Sequence, residues 1–176
     1  HKTSNNAMKP KILIVDDEPK MCRSLEILLS EDKRYEIEVA LSGKEALGKL
    51  GEDTDLVIAD LNMREMDGLE LLREIKARSK DTQVVIMTAY STVKSAIEAM
   101  KSGAFEYLVK PFENDEFLLT VEKALEINRL VRENRYLKTE LQGRYPYESI
   151  IGKSQAMRGV FSLIDRARET DSTVLI

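Results

Sequence analysis

The chain has very little of the chemistry that cysteine and histidine provide. Its 176 residues include one cysteine, Cys22, and one histidine, His1. A single cysteine cannot form an internal disulfide, which fits a protein of the reducing cytoplasm, and we expect Cys22 to fill the core. With no histidine beyond the first residue, catalysis by histidine and histidine-rich metal sites are excluded.

Long apolar runs and an excess of positive charge are also missing. No apolar stretch approaches the roughly 18 residues that span a membrane, so we expect no membrane segment. The net charge of −4 argues against a nucleic-acid surface, because phosphate contacts need clustered Lys and Arg. Residues 1–7 (HKTSNNA) lack the apolar core of a secretory signal and are interpreted as an expression scar before Met8.

Short apolar runs alternate with helical patterns between Lys9 and about Leu125. The runs are residues 12–15 (ILIV), 37–40 (IEVA), 56–59 (LVIA), 84–87 (VVIM) and 107–109 (YLV). Three of them are continuous, as expected of strands that a parallel sheet buries on both faces. Five strands alternating with helices predict a doubly wound α/β domain over residues 8–125.

Polar side chains follow four of these five runs. They are Asp16 and Asp17, then Asp60, Thr88 and Lys110. Ligands bind at the carboxyl edge of a parallel sheet, where these residues would meet. Each one alone has an ordinary reading as a helix cap, a turn former or a solvated charge. The joint pattern favours a site for chemistry.

The chemistry that the set favours is phosphoryl transfer. Three carboxylates repel one another unless a cation lies among them, and oxygen ligands suit Mg²⁺. A carboxylate can also attack phosphorus and form an aspartyl phosphate. Lys110 and Thr88 would then contact the phosphoryl oxygens. The set has no obvious general base for a fast hydrolase cycle.

These motifs resemble the receiver domain of bacterial two-component response regulators. The resemblance rests on Asp16-Asp17, residues 60–68 (DLNMREMDG), Thr88-Ala89 and Lys110-Pro111, and it covers residues 8–125. It implies a flavodoxin-like fold in which Asp60 is the phosphoacceptor. Receivers commonly have Pro where this chain has Arg64, which should loosen that loop without removing a ligand.

The resemblance also implies the role of each site residue. Asp17 would bind Mg²⁺ directly, Asp16 would act through water, and the main-chain carbonyl of Asn62 would complete the protein ligands. Thr88 and Lys110 would contact the phosphoryl group. Tyr107 occupies the position of the family's switch aromatic, and the Lys110–Pro111 bond is usually cis.

A fifth helix is predicted to begin near Asn114, and neither Pro nor Gly interrupts the sequence until Gly143. Its second half carries apolar residues at 3-4-3-4 spacing with one asparagine among them: Ile127, Leu130, Asn134, Leu137 and Leu141. This pattern predicts a coiled-coil linker over residues 126–144 that forms a parallel homodimer, with the asparagine setting the register. An amphipathic helix lying on its own domain is the alternative.

Residues 145–176 resemble the entry of the AAA+ domain of sigma-54-dependent activators of the nitrogen-regulation type. In that family the last strand leads into the Walker A loop, and this chain ends before it. We therefore expect no ATPase activity. Contacts with sigma-54 RNA polymerase and DNA would belong to the full-length parent.

The resulting hypothesis is a cytoplasmic signalling domain that is not itself an enzyme. Asp60 would accept a phosphoryl group from a sensor histidine kinase in the presence of Mg²⁺. One alternative is a Mg²⁺-dependent aspartyl-phosphate phosphatase of the haloacid-dehalogenase type. That class needs an aspartate two residues after its nucleophile, where this chain has Asn62. A scaffold module would explain the linker but not the acidic residues.

Overall fold

The computed structural model of the protein describes residues 9–31 and 33–144, with the side chains of residues 141–144 excepted. The predicted expression scar at residues 1–7 and the predicted AAA+ edge at residues 145–176 lie outside the described residues. None of the helices described has the length and apolar composition needed to cross a membrane.

Five parallel strands form one sheet in the described part of the chain. They are β1 (Lys11–Val15), β2 (Glu36–Ala40), β3 (Thr54–Asp60), β4 (Gln83–Thr88) and β5 (Glu106–Val109), and they lie in the order β2-β1-β3-β4-β5. The helices are α1 (Pro19–Ser30), α2 (Gly43–Lys49), α3 (Gly68–Arg78), α4 (Val93–Lys101) and α5 (Asn114–Arg144). This order confirms the predicted doubly wound sheet. The strand order reverses between β1 and β3, which is where such sheets bind ligands.

Alternate residues of the central strands face two separate cores. Leu13, Val57 and Ile86 pack with α2, α3 and α4 on one face of the sheet. Ile12 and Ile58 belong to the other face, which α1 and α5 cover. Because both faces are covered, the central strands read as continuous apolar runs. The sheet therefore gives the loops at its carboxyl edge a rigid base.

The α1 side of the sheet contains Cys22. Its side chain is buried, and its thiol donates a hydrogen bond to the main-chain oxygen of Asp16 at 3.4 Å. Burial raises the pKa of the Cys22 thiol to about 11. The predicted role of Cys22 as part of the core is confirmed.

Helix α5 begins at Asn114, as predicted, and continues without a break to Arg144. The chain divides into two compact units, His1–Arg132 and Glu133–Ile176. In the first unit α5 buries Phe117, Val121 and Ala124 against the sheet. The predicted start of a separate linker at residue 126 stays a prediction.

Two further residues dock α5 at the opposite edge of the sheet from the carboxyl ends. Asn128 is buried, and its side-chain amide donates to the main-chain oxygen of Asp81 at 2.9 Å. The Arg132 guanidinium lies 3.4 Å from the Asp55 carboxylate and donates to the main-chain oxygen of Glu52 at 2.9 Å. Polar contacts therefore hold the helix several residues beyond Leu125.

The predicted dimer seam lies on an exposed stripe of α5. Ile127, Leu130 and Leu137 are 42%, 46% and 51% exposed, and Asn134 is exposed as well. The side chain of Leu141 lies outside the described residues. Large apolar side chains at this exposure are available to a partner, and the dimer itself stays a prediction.

Candidate functional site

The site lies at the carboxyl ends of β1 and β3, which are neighbours in the sheet. Asp16 and Asp17 follow β1 directly, and Asp60 is the last residue of β3. Each of these three residues has a carboxylate oxygen within 4.8 Å of those of the other two. Asp16 and Asp60 are buried, whereas Asp17 is partly exposed. The three predicted carboxylates thus form one cluster.

Lys110 supplies the positive charge at this cluster. It follows β5, and its main-chain N–H donates to the main-chain oxygen of Thr88 at 2.7 Å. Its ammonium lies 2.8 Å from an Asp60 oxygen and 3.0 Å from an Asp16 oxygen. One lysine is thus shared between two buried carboxylates. The four side chains together carry more negative than positive charge when all are ionised.

Burial and mutual charge shift the proton affinities of these groups. Burial raises the pKa of Asp16, and the negative charge of Asp60 raises it further. Hydrogen bonds from the Glu18 N–H and from Lys110 lower this pKa, but burial outweighs them. Burial also lowers the pKa of Lys110, but hydrogen bonds and attraction from Asp60 and Asp16 outweigh that effect and raise it overall. Lys110 is therefore a charged ammonium at neutral pH.

Local main-chain contacts fix the Asp60 carboxylate. The N–H of Asn62 donates to its second oxygen at 2.9 Å. Gly68, at the start of α3, donates to the main-chain oxygen of Leu61 at 2.9 Å. A Cβ atom on Gly68 would lie 2.5 Å from the main-chain oxygen of Asp60, so only glycine fits here without moving the strand. The start of α3 is thereby packed directly against the predicted phosphoacceptor.

Thr88 is buried at the end of β4, and its hydroxyl is linked to the site through Asn62. The side-chain amide of Asn62 donates to Thr88 Oγ1 at 3.0 Å. From the sequence alone, Asn62 is expected to act only as a Mg²⁺ ligand through its main-chain carbonyl. The contact of its side chain with Thr88 depends on the loop after β3 reaching across to β4.

Tyr107 lies on β5 and is half-buried. Its hydroxyl forms a hydrogen bond of 2.8 Å with Ser95 Oγ. Ser95 also takes part in the capping box with Thr92 that begins α4. The predicted switch aromatic is therefore tied to the first turn of α4, and sequence reasoning did not identify Ser95.

The loop after β3 contains Arg64, at the position where receivers commonly have Pro. Its side chain is 93% exposed, with Nε 3.8 Å from an Asp17 oxygen. The next residue, Glu65, has a positive φ of 65°, while Met63 and Met66 on either side pack into the core. The loop therefore presents Arg64 above the acidic cluster. The Lys110–Pro111 bond is cis, as the resemblance implied.

Residues 12–122 match the family model of the response regulator receiver domain. The chain belongs to the response regulator receiver family. Transcriptional regulatory protein ZraR from Klebsiella oxytoca is 42% identical over 166 residues, which cover 94% of this chain and 36% of ZraR. The chain therefore spans about a third of the length of that curated relative. The DNA-binding transcriptional regulator NtrC from Escherichia coli is 40% identical over 136 residues, which cover 77% of this chain and 28% of NtrC. These relatives confirm the predicted resemblance to the receivers of sigma-54-dependent response regulators.

Solved receiver structures share the fold. The beryllofluoride-activated dimer of the NtrC4 receiver domain is 35% identical with a TM-score of 0.63, and the match covers 67% of this chain and 98% of that one. TrrA from Thermotoga maritima, solved in complex with Mg²⁺ and beryllium fluoride, is 39% identical with a TM-score of 0.59, covering 66% and 99%. The receiver described here carries the acidic cluster with which receivers bind Mg²⁺.

Proposed function

We propose that this receiver accepts a phosphoryl group on Asp60 from a sensor histidine kinase and uses it to control the output of a larger transcriptional regulator. The observation that carries the proposal is the cluster of three carboxylates that shares one lysine at the switch point of the sheet. The cytoplasmic location expected from the sequence is part of the proposal.

The donor atoms of the cluster fit Mg²⁺. All the candidate ligands are oxygens, as hard divalent cations require, and the excess of negative charge leaves room for a dication. Asp16, Asp17, Asp60 and the main-chain carbonyl of Asn62 would hold the ion. When bound, the cation would neutralise charge on the phosphoryl oxygens.

The transfer itself needs Asp60 as a nucleophile. A carboxylate oxygen of Asp60 attacks phosphorus, and an O–P bond forms while the P–N bond to the kinase histidine breaks. The electron pair of that bond stays on the imidazole nitrogen, and the ring leaves neutral after taking up one proton. The product is an aspartyl phosphate, which carries more negative charge than the carboxylate it replaces.

Lys110 and Thr88 would stabilise that charge. The Lys110 ammonium already contacts Asp60 at 2.8 Å and is positioned to contact a phosphoryl oxygen attached there. Thr88 would donate its hydroxyl hydrogen to another phosphoryl oxygen. To do so, Thr88 must move toward the site and give up some of its present contacts.

The movement of Thr88 would reach the surface through Tyr107. An inward turn of Tyr107 has to break its hydrogen bond of 2.8 Å with Ser95. Because Ser95 helps to cap α4, that turn would alter the start of the helix. The exposed face of α4 is therefore where we expect phosphorylation to become visible to a partner.

The predicted linker part of α5, residues 126–144, would carry the signal between two copies of the chain. The exposed Ile127, Leu130, Asn134 and Leu137 support a parallel homodimer. The structure of the NtrC4 receiver domain is that of a dimer, which supports dimerisation of a receiver but says nothing of the linker. In the full-length parent, the dimer would control an AAA+ ATPase that acts on sigma-54 RNA polymerase at DNA. We expect residues 1–176 by themselves to make no contact with nucleic acid.

The proposal is tested by labelling. We expect a small acyl phosphate with Mg²⁺ to add one phosphoryl group to the wild type, mapped by mass spectrometry to Asp60, and to add none to Asp60→Asn. Asp53→Asn is the matched control, because Asp53 is an exposed aspartate that pairs with Lys11 and should leave labelling unchanged. Undiminished label in Asp60→Asn would contradict the assignment. Rapid turnover of a generic phosphomonoester would favour the phosphatase alternative.

A further inference from the structure

The hydroxyl of Thr88 already uses its full hydrogen-bonding capacity. It accepts from Asn62 Nδ2 at 3.0 Å and from the Tyr90 main-chain N–H at 3.0 Å, and it donates to the Tyr90 main-chain oxygen at 3.2 Å. A threonine hydroxyl has one donor hydrogen and two acceptor lone pairs. No donor or acceptor site of the Thr88 hydroxyl is therefore left for a phosphoryl oxygen.

Asn62 connects this hydroxyl to the phosphoacceptor. It lies two residues after Asp60, and its main-chain N–H donates to the Asp60 carboxylate at 2.9 Å while its side chain reaches Thr88. The residues on either side, Leu61 and Met63, are buried and anchor the loop. The Asn62 carboxamide thus contacts Thr88 from an anchored main chain.

We propose that Asn62 is a positioning residue that holds Thr88 in its unphosphorylated orientation, and so sets how readily the receiver switches. The inference rests on the proposed function, in which Thr88 must turn toward a phosphoryl group on Asp60. That turn removes Oγ1 from the Asn62 amide. A hydrogen bond present in one state and absent in the other favours the state that has it.

The size of the effect follows from the strength of one neutral hydrogen bond. A net contribution of about 1 kcal/mol corresponds to a factor of about five in an equilibrium constant. Removing the Asn62 amide should therefore raise the affinity of the receiver for a phosphoryl analogue about fivefold. The Asn62 side chain is exposed, so its truncation leaves the core intact.

The test is a beryllium fluoride titration with Mg²⁺, followed by amide NMR shifts over α4. We expect Asn62→Ala to reach half-saturation at about one-fifth of the wild-type concentration. The free Asn62→Ala protein should also show α4 shifts displaced toward the saturated position. Asn62→Gln, which keeps the amide, should lie between wild type and Asn62→Ala.

A double-mutant comparison separates this role from a general structural one. Thr88→Val removes the hydroxyl, so adding Asn62→Ala to it should change the half-saturating concentration by less than about 1.5-fold. A persisting fivefold effect in the Thr88→Val background would overturn the inference. So would equal or weaker binding by Asn62→Ala, because the amide would then act on the phosphoryl group itself. If wild type bound no analogue at all, the proposed function would fail first and the inference with it.

Discussion

Replacing Asp17 by asparagine should stabilise the metal-free receiver. Asp17 faces two other carboxylates, with oxygens of the three within 4.8 Å of one another, and two cations: Lys110, which contacts Asp60, and Arg64, whose Nε lies 3.8 Å from an Asp17 oxygen. The Arg64 side chain is 93% exposed, so its ion pair with Asp17 contributes little. Two repulsions against the attraction of Lys110 leave about one uncompensated repulsion. At 4.8 Å this is worth roughly 1 kcal/mol in water and about 3.5 kcal/mol at an effective dielectric constant of 20. The Asp17 side chain is 30% exposed, so we expect a value near 1 kcal/mol.

The assay is thermal or urea unfolding followed by circular dichroism, in EDTA and in excess Mg²⁺. In EDTA, Asp17→Asn should unfold about 4 °C above wild type. Mg²⁺ at ten times its Kd should stabilise wild type by about 1.4 kcal/mol and the variant by little. The order of stability should therefore reverse when Mg²⁺ is added.

A matched substitution away from the cluster controls for the loss of one charge. Asp53→Asn, at an exposed aspartate that pairs with Lys11 at 3.5 Å, should change the free energy of unfolding by less than about 0.5 kcal/mol in either buffer. Lower stability of Asp17→Asn than of wild type in EDTA, or equal stabilisation of both proteins by Mg²⁺, would contradict a net repulsion at Asp17.

Three further outcomes are expected. Leu130→Asp/Leu137→Asp should be monomeric by sedimentation equilibrium. A double variant as dimeric as wild type would show that the dimer interface lies outside the linker helix. Asn128→Ala should lower the free energy of unfolding by about 1 kcal/mol in urea, because the buried Asn128 side chain loses its hydrogen bond to the Asp81 main-chain oxygen, which still accepts from the Gln83 side chain. A loss below 0.5 kcal/mol would contradict this. A hydrogen bond from Lys49 holds the pKa of Glu45 below its usual value of 4.5. Glu45→Gln should therefore lower the free energy of unfolding by about 0.5 kcal/mol at pH 7. This difference from wild type should disappear as the pH falls below 4.5 and through the lowered pKa of Glu45, and unfolding curves at several pH values would measure it.

The fold and the membership of the site could be predicted because both depend on short patterns. Continuous apolar runs predicted a sheet covered on two faces, and the reversal of strand order puts the ends of β1 and β3 side by side. Asp16, Asp17 and Asp60 therefore meet for reasons of topology. Lys110 joins them because β5 is parallel to the other strands and ends at the same edge.

The contacts that sequence reasoning missed are made between side chains on different structural elements. Asn62 reaches Thr88 across 26 residues of sequence, and Ser95 reaches Tyr107 across 12. Neither pair has a periodicity or spacing that would predict it, because each depends on how separate elements are placed in the fold. Asn128 is a similar case, since it lies beside the apolar stripe of α5 and is buried only because that helix stays docked on the sheet.

The buried Cys22 thiol makes this chain convenient for spectroscopic labelling. It is the chain's single cysteine, its hydrogen is donated to a main-chain oxygen, and its pKa is about 11. At pH 7 roughly one thiol in ten thousand is then the reactive thiolate, and the folded protein shields even that fraction from a bulky reagent. A cysteine introduced at an exposed position outside the predicted seam, such as Lys138, would therefore take up a nitroxide or fluorophore selectively, without replacing Cys22 first. Distances between two such labels could follow the linker helices of a dimer while the phosphoacceptor site keeps its native sequence.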